Sequence, residues 1–216
     1  AKNQILLHRV ASGRTSSIHT MDQRVTLNFR ENSFYDTLSV GVINRHLGDD
    51  SAQVHVVPRH KPLRGNFELR YLLDENQQET SGLGFYEMDP GSQRLSYLHS
   101  TRKGDELITR PGNFGTFVVR ADSISPAIEN PHIHRRKDGQ WLVTLDVADD
   151  KSGVNYRAAE IYCNDIRGIP EYDPEQEEIH YYHPDFTPVE KNHLRLVLPD
   201  NAGNVTDTLI TLDYSK

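Results

Sequence analysis

A single cysteine, Cys163, stands among 216 residues. No disulfide can form within the chain, which excludes a disulfide-stapled scaffold. Long apolar runs are missing too: none approaches the roughly 18–20 residues that a membrane-spanning helix requires. The first apolar stretch, Ile5-Leu6-Leu7, is too short for the core of a secretory signal; a cleaved signal or an excised fragment would each account for that. Nowhere do apolar residues recur with a helical period of about 3.6. Nor is there an excess of cations. Lys and Arg number 24 against 31 Asp and Glu, a net charge of −7. That balance argues against a nucleic-acid partner, which needs clustered cations to replace phosphate counterions. The acidity is uneven. Residues 1–122 carry 15 Lys and Arg against 14 Asp and Glu, and residues 123–216 carry 9 against 17. The step from +1 to −8 places a domain boundary near Asp122–Pro126.

What is present is alternation. Val25, Leu27 and Phe29 share one face of an extended run while Thr26, Asn28 and Arg30 take the other, the period of two that marks a half-buried strand. Leu38, Val40 and Val42 repeat the pattern, then Val54 and Val56, then Phe67, Leu69 and Tyr71. Further strands are expected at 83–87, 94–99 and 114–120. Turn signals separate them: Gly48-Asp49-Asp50, Pro62 to Gly65, Asp89-Pro90-Gly91, Lys103-Gly104-Asp105 and Pro111-Gly112-Asn113. Short strands at such spacings predict a β-sandwich over residues 23–122. Residues 1–22 are weakly patterned and read as a linker or an edge segment, with Ile5 to Val10 as a candidate strand.

No Gly-rich spacer follows Asp122, so the two halves are expected to be joined tightly. Residues 123–216 predict a second antiparallel sandwich. Its first strand runs from Ile128 to His134, and Asp138-Gly139 turns the chain. Trp141, Val143, Leu145 and Val147 form the best inward face in the sequence, with Trp141 expected in the core. Strands follow at 158–164, 179–182, 194–198 and 205–213, with a short hairpin near Asp165–Gly168 and a turn-rich connection at Glu171 to Glu175. Asp200-Asn201-Ala202-Gly203-Asn204 supplies the residues that a tight hairpin turn demands.

The residues that could carry chemistry are few. Cys163 shares a face with Ile161 and reads as a buried thiol. His132 and His134 lie two apart on a strand, so both imidazoles face one way. Such a pair binds zinc if a neighbouring strand adds a third ligand; otherwise it is a solvent-facing pair beside Arg135 and Arg136. His180 and His183 read as surface residues. Asp149, Asp150 and Asp200, with an oxygen from Asn201, are the candidate calcium ligands; the competing reading is Asx turns in which each side chain caps its own loop. Tyr86, Tyr97, Tyr172, Tyr181 and Tyr182 are candidates for an aromatic platform, or simply residues that suit a pleated surface. Asn204-Val205-Thr206 fits a glycosylation sequon.

Four segments occur in a telling order: Asp122-Ser123-Ile124-Ser125-Pro126-Ala127-Ile128, the loop from Asp149 to Val154, Glu171-Tyr172-Asp173, and Asp200 to Asn204. This series resembles the C-terminal immunoglobulin-like region behind the catalytic domain of many M23-type (lysostaphin-like) peptidases of Bacteroidetes bacteria. Phe34-Tyr35-Asp36-Thr37 and Phe114-Gly115-Thr116-Phe117 in the first half are similar as well, so the likeness spans residues 24–213. It implies two tandem immunoglobulin-like antiparallel β-sandwiches. It does not bring the enzyme. The family's zinc site joins a His and an Asp on a Gly-rich segment to a His-x-His; only His132-Ile133-His134 is present, in a predicted strand. The resemblance therefore implies a non-catalytic module of the bacterial cell envelope, periplasmic or surface-exposed, with no cofactor. Its partner would be a peptidase domain of the parent protein or an envelope protein, and a cell-wall fragment is a further candidate. The alternative is a stand-alone binding module for peptidoglycan, glycan or an envelope protein.

Overall fold

Alternation in the sequence becomes strand almost everywhere. The computed structural model, which describes residues 7–48 and 51–214, is 55% strand and 4% helix. Globular proteins average about a third helix, so the fold is all-β. Ile5 and Leu6 of the first candidate strand, and Asp49 and Asp50 of the first turn signal, lie outside the described residues. No helix among the described residues is long and apolar enough to cross a membrane. The chain divides into two compact units, Ala1–Asp122 and Ser123–Lys216.

The first unit contains β1 (Leu7–Val10), β2 (Ser16–His19), β3 (Val25–Phe29), β4 (Leu38–Gly48), β5 (Ser51–Val57), β6 (Glu68–Leu72), α1 (Glu75–Glu79), β7 (Leu83–Met88), β8 (Leu95–Leu98), β9 (Ser100–Lys103), β10 (Glu106–Thr109) and β11 (Thr116–Ala121). Two antiparallel sheets form, in the orders β1-β4-β5-β11-β7-β8 and β2-β3-β6-β10-β9. Their inner faces share one core, because each strand turns every second residue inward. Val25, Leu27 and Phe29 of β3 meet Val54 and Val56 of β5 and Phe117 and Val119 of β11 there. Phe29, Phe34, Phe67 and Phe114 close one end of it, with ring centroids 4.8–6.2 Å apart. Strands β1 and β2 each edge one sheet and bury Val10 and Ile18 in the same core.

Strand β2, in the weakly patterned start of the chain, had no periodic signal, and neither had two further elements of this unit. The hairpin β9–β10 turns at Gly104, whose φ of +62° suits a residue without Cβ; its first arm, Ser100-Thr101-Arg102-Lys103, has no apolar face to alternate. Helix α1 is too short to show a period. It is held by a capping box, in which the Gln77 amide donates to the Asp74 carboxylate at 2.9 Å and the Asp74 amide to the Gln77 side chain at 3.2 Å.

The second unit contains β12 (Ala127–Arg135), β13 (Trp141–Ala148), β14 (Glu160–Cys163), β15 (Ile166–Asp173), β16 (Glu178–Tyr182), β17 (Lys191–Pro199) and β18 (Val205–Asp213). The pairing order is β12-β13-β16-β15-β14-β17-β18. Strand β15 serves two neighbours. Ile166–Gly168 pairs with β14 and Ile169–Asp173 with β16, so β15 carries the ladder from one layer of a sandwich to the other. Between the layers lie Val143, Leu145 and Val147 of β13, Ile161 and Cys163 of β14, Ile179 and Tyr181 of β16, and Leu194, Leu196 and Leu198 of β17.

Three expectations need correction here. Glu171, Tyr172 and Asp173 end strand β15 rather than forming a connection, because each pairs with β16. The hairpin expected near Asp165–Gly168 turns one residue earlier, on Asn164 and Asp165, with φ of +49° and +63°. That is the signature of a two-residue primed turn, which Asn and Asp tolerate. Trp141 sits at the rim of the core rather than within it, with Tyr214 edge-on at 5.1 Å and the Arg135 guanidinium over its ring at 5.6 Å.

Candidate functional site

At one end of the second unit two loops interlock. Asp149 follows β13, and Asp200 follows β17. The Asp200 carboxylate, 2% exposed, accepts hydrogen bonds from the amides of Ala202, Gly203 and Asn204 at 2.9, 2.6 and 2.8 Å. Its other oxygen accepts from the Asn204 side chain at 2.7 Å. Asp149 accepts from the amides of Lys151 and Gly153 at 3.1 and 2.6 Å. Each carboxylate thus caps its own loop, as Asp does wherever backbone amides turn toward it. A bridge between Val154 and Asp200 joins the two loops.

Of the three candidate calcium ligands, Asp149 and Asp200 come together, with carboxylate oxygens within 4.8 Å. Asp150 is exposed and does not join them. Asn201 turns its side-chain nitrogen, not its oxygen, to the 149–154 loop. Its side-chain nitrogen donates to the carbonyls of Ser152 and Gly153 at 2.9 and 2.8 Å, and two carbonyl partners require the NH₂ end of the amide to face them.

His132 and His134 do share a side of β12, with rings stacked 5.8 Å apart. Among the described residues no third His, Cys, Asp or Glu gathers with them as a metal ligand. His180 takes Glu178 as its partner at 3.0 Å, and His183 accepts from the Asp185 amide at 3.1 Å. Cys163 is fully buried in the core, and burial pushes its thiol up to about 11. A thiol so placed is the inverse of an activated nucleophile, which needs an exposed, electropositive setting.

The five tyrosines do not make one surface. Tyr86 and Tyr181 are buried. Tyr86 packs edge-on to Tyr97 at 5.4 Å, and Tyr97 covers Gly84, where a Cβ would lie 2.6 Å from its ring. Tyr181 donates its hydroxyl to the Ile166 carbonyl at 3.1 Å. Tyr172 instead stacks on Tyr156, centroids 4.9 Å apart, and Arg157 caps Tyr156 at 5.9 Å. Tyr156 and Arg157 border an open cleft of about 620 Å³ with Arg167, Ile169 and Pro170. Tyr156 escaped the sequence reading because it stands in a 3-10 turn, Tyr156–Ala158, outside any alternating run.

The first unit holds a charged face that the sequence did not reveal. On the outer side of the five-stranded sheet, Glu68 of β6 accepts from Arg70 at 2.7 Å, Arg110 at 2.9 Å and Asn28 at 3.3 Å. Arg70 also donates to Glu106 at 2.9 Å. Burial acts to raise the Glu68 carboxyl, but these hydrogen bonds outweigh it and hold the group below its ordinary range. Open clefts of about 590 and 410 Å³ flank the Glu68–Arg110 pair. The residues involved are spread over β3, β6 and the ends of β10, so only the sheet assembles them.

No protein-family model and no curated protein sequence matches this chain.

Proposed function

We propose that the chain is a non-catalytic accessory module of a bacterial cell-envelope protein, which positions or regulates a cell-wall peptidase domain. The observation that carries this reading is the interdependence of the motif residues behind the resemblance. The 149–154 loop and the 200–204 turn are bonded through Asn201 and through the Val154–Asp200 bridge. The start of the second unit joins them, since the Thr206 hydroxyl donates to the Pro126 carbonyl at 2.6 Å. The succession of strands, β12-β13-β16 in one layer and β14-β17-β18 in the other, also suits an immunoglobulin-like sandwich. In such a role the module contributes effective concentration: a tethered peptidase domain meets its substrate at the module's binding site instead of by free diffusion.

The test is to incubate the purified chain with bacterial sacculi, alone and with an M23-type peptidase domain. The chain should release no soluble fragments, and it should be retained by the peptidase domain or change its rate of release. Fragment release by the chain alone, abolished by His132→Ala, would overturn the reading.

A second reading is a stand-alone binding module for peptidoglycan, glycan or an envelope protein. The stacked Tyr156–Tyr172 pair beside Arg157 favours it, since such a pair offers an aromatic and cationic contact in an open cleft. Retention on sacculi with no effect on the peptidase would select it.

A further inference from the structure

We propose that the outer face of the five-stranded sheet in the first unit binds a short peptide bearing carboxylates, of the kind that forms the stem of bacterial cell-wall peptidoglycan. The choice of the cell wall as source rests on the accessory-module reading; the binding face itself does not.

Charge is the first argument. The two clefts flanking the Glu68–Arg110 pair are lined by Arg30, Arg64, Arg110 and Lys103 against one carboxylate, Glu68. The whole chain is acidic, so this is a local excess of the opposite sign. Glu68 is already held by Arg70, Arg110 and Asn28. Arg30 and Arg64 make no ion pair among the described residues, which leaves two guanidinium forks for a ligand. A guanidinium fork matches a carboxylate in shape and binds it through two parallel hydrogen bonds.

Preorganisation is the second argument. Ser33, 2% exposed, fixes the backbone beneath both arginines. Its hydroxyl accepts from the Arg30 amide at 2.8 Å, and its carbonyl accepts from the Arg64 amide at 3.0 Å. Phe29 and Phe67 lie under the same cleft with rings 5.4 Å apart. The backbone that carries the two arginines is thus held in place before a ligand arrives, which lowers the ordering cost of binding.

The rest of the lining selects a peptide over other anions. Asn32 and Asn66 stand exposed on the rim of the larger cleft, and a side-chain amide offers the donor and the acceptor that a peptide group needs. Phe29 and Phe67 are 2% and 1% exposed, so neither presents a face on which a sugar could stack. Glu68 stands between the two clefts. A uniformly charged polyphosphate would lay phosphate against it, whereas a peptide separates its carboxylates by neutral amide groups. The cleft volumes of about 590 and 410 Å³ fall in the range that holds small ligands.

Titration calorimetry on the full chain tests this, with amide NMR shifts to locate the site. The probe is the stem tetrapeptide L-Ala-γ-D-Glu-meso-diaminopimelate-D-Ala. The comparisons are the same peptide with its carboxylates amidated, an all-L acidic tetrapeptide of equal charge, and inorganic polyphosphate. The stem peptide should bind, with shifts confined to residues around Arg30, Arg64 and Arg110, and amidation should abolish binding. Arg30→Gln and Arg64→Gln should each weaken it at least about tenfold, since a neutral amide cannot replace the fork's two charge-assisted hydrogen bonds. Lys191→Gln, at an exposed position in the other unit, should leave it unchanged. Both arginines are exposed, and unchanged thermal melts will show that the variants fold. Binding of the all-L peptide alone would overturn the cell-wall source, while the accessory-module reading stands or falls by the sacculus assay with the peptidase domain. Binding of polyphosphate alone, or of nothing, would overturn the peptide-binding face while leaving that reading in place.

Discussion

Asn201 grips the carbonyl of Gly153 twice, through its backbone amide at 3.0 Å and through its side-chain nitrogen at 2.8 Å. The same nitrogen reaches the Ser152 carbonyl at 2.9 Å. One side chain therefore ties two loops that are 48 residues apart in sequence. Asn201→Ala removes two hydrogen bonds and should cost about 1–3 kcal/mol. Asn201→Asp should cost more, because it sets a carboxylate against two carbonyl oxygens. Urea unfolding of the single variants checks the order. If Asn201→Asp proved no worse than Asn201→Ala, the donor role of this side chain would be wrong.

Gly168 and Tyr181 define a second sensitive point. Gly168 is buried on β15 where the strand leaves β14 for β16, and a Cβ there would run into the Tyr181 ring and meet the Tyr182 carbonyl at 3.1 Å. The ring cannot retreat, since it is fully buried with Phe186 edge-on at 5.4 Å. Gly168→Ala should therefore destabilise the second unit by about 1–3 kcal/mol, the usual cost of overpacking. The double variant Gly168→Ala with Tyr181→Leu should lose less than the sum of the two single changes, because contacting sites are not additive. Strict additivity in denaturant midpoints would count against the contact.

These two sites show where the sequence was legible. Strands with clean alternation, such as Val25–Phe29 and Leu194–Leu198, announced both their type and their buried face. The hairpin chemistry of Asp200 to Asn204 was readable too, because φ > 0 and side-chain capping are local matters. What lay across the fold was hidden. Asn201 could be placed in a turn but not paired with Gly153, and Asp149 could be set beside Asp200 only as a guess about loop ends. Asp150, the third candidate, is exposed and stands apart from the Asp149–Asp200 pair, which a run of two Asp in sequence does not reveal. The groove of Arg30, Arg64 and Arg110 left no trace, since residues 30, 64 and 110 become neighbours only through sheet pairing.

The charged face of the first unit gives a pH dependence with a definite sign. The Glu68 carboxyl lies below its ordinary 4.5 in the folded chain despite burial, owing to Arg70, Arg110 and Asn28. A depressed folded value means that the contribution is fully present above about pH 4.5 and is lost as pH falls through the folded value. Chemical unfolding at pH 5.5 and at pH 3.5 should show the first unit weakening in acid. Glu68→Gln keeps the shape and removes the titration, so its loss between the two pH values should be smaller than that of the wild type. An equal loss would mean that Glu68 does not carry the effect.

Cys163 is a built-in reporter of the second unit. It is fully buried between Ile161 and the β17 leucines, and burial raises its thiol to about 11. At pH 8 the folded chain then holds about one thiolate in a thousand, against roughly a quarter for an unperturbed thiol. Alkylation by iodoacetamide should be slower than for a free thiol by at least a hundredfold. The rate should rise to the free value in urea as the second unit opens. The raised value also fixes the sign of a linkage: stability is retained below about pH 8.5 and declines as pH climbs toward 11, because the unfolded chain loses the proton first. Cys163→Ala should flatten that alkaline decline. Free-thiol labelling rates in native buffer would show that the inner face of β14 is not covered as described, and would remove the ground for reading this cysteine as core.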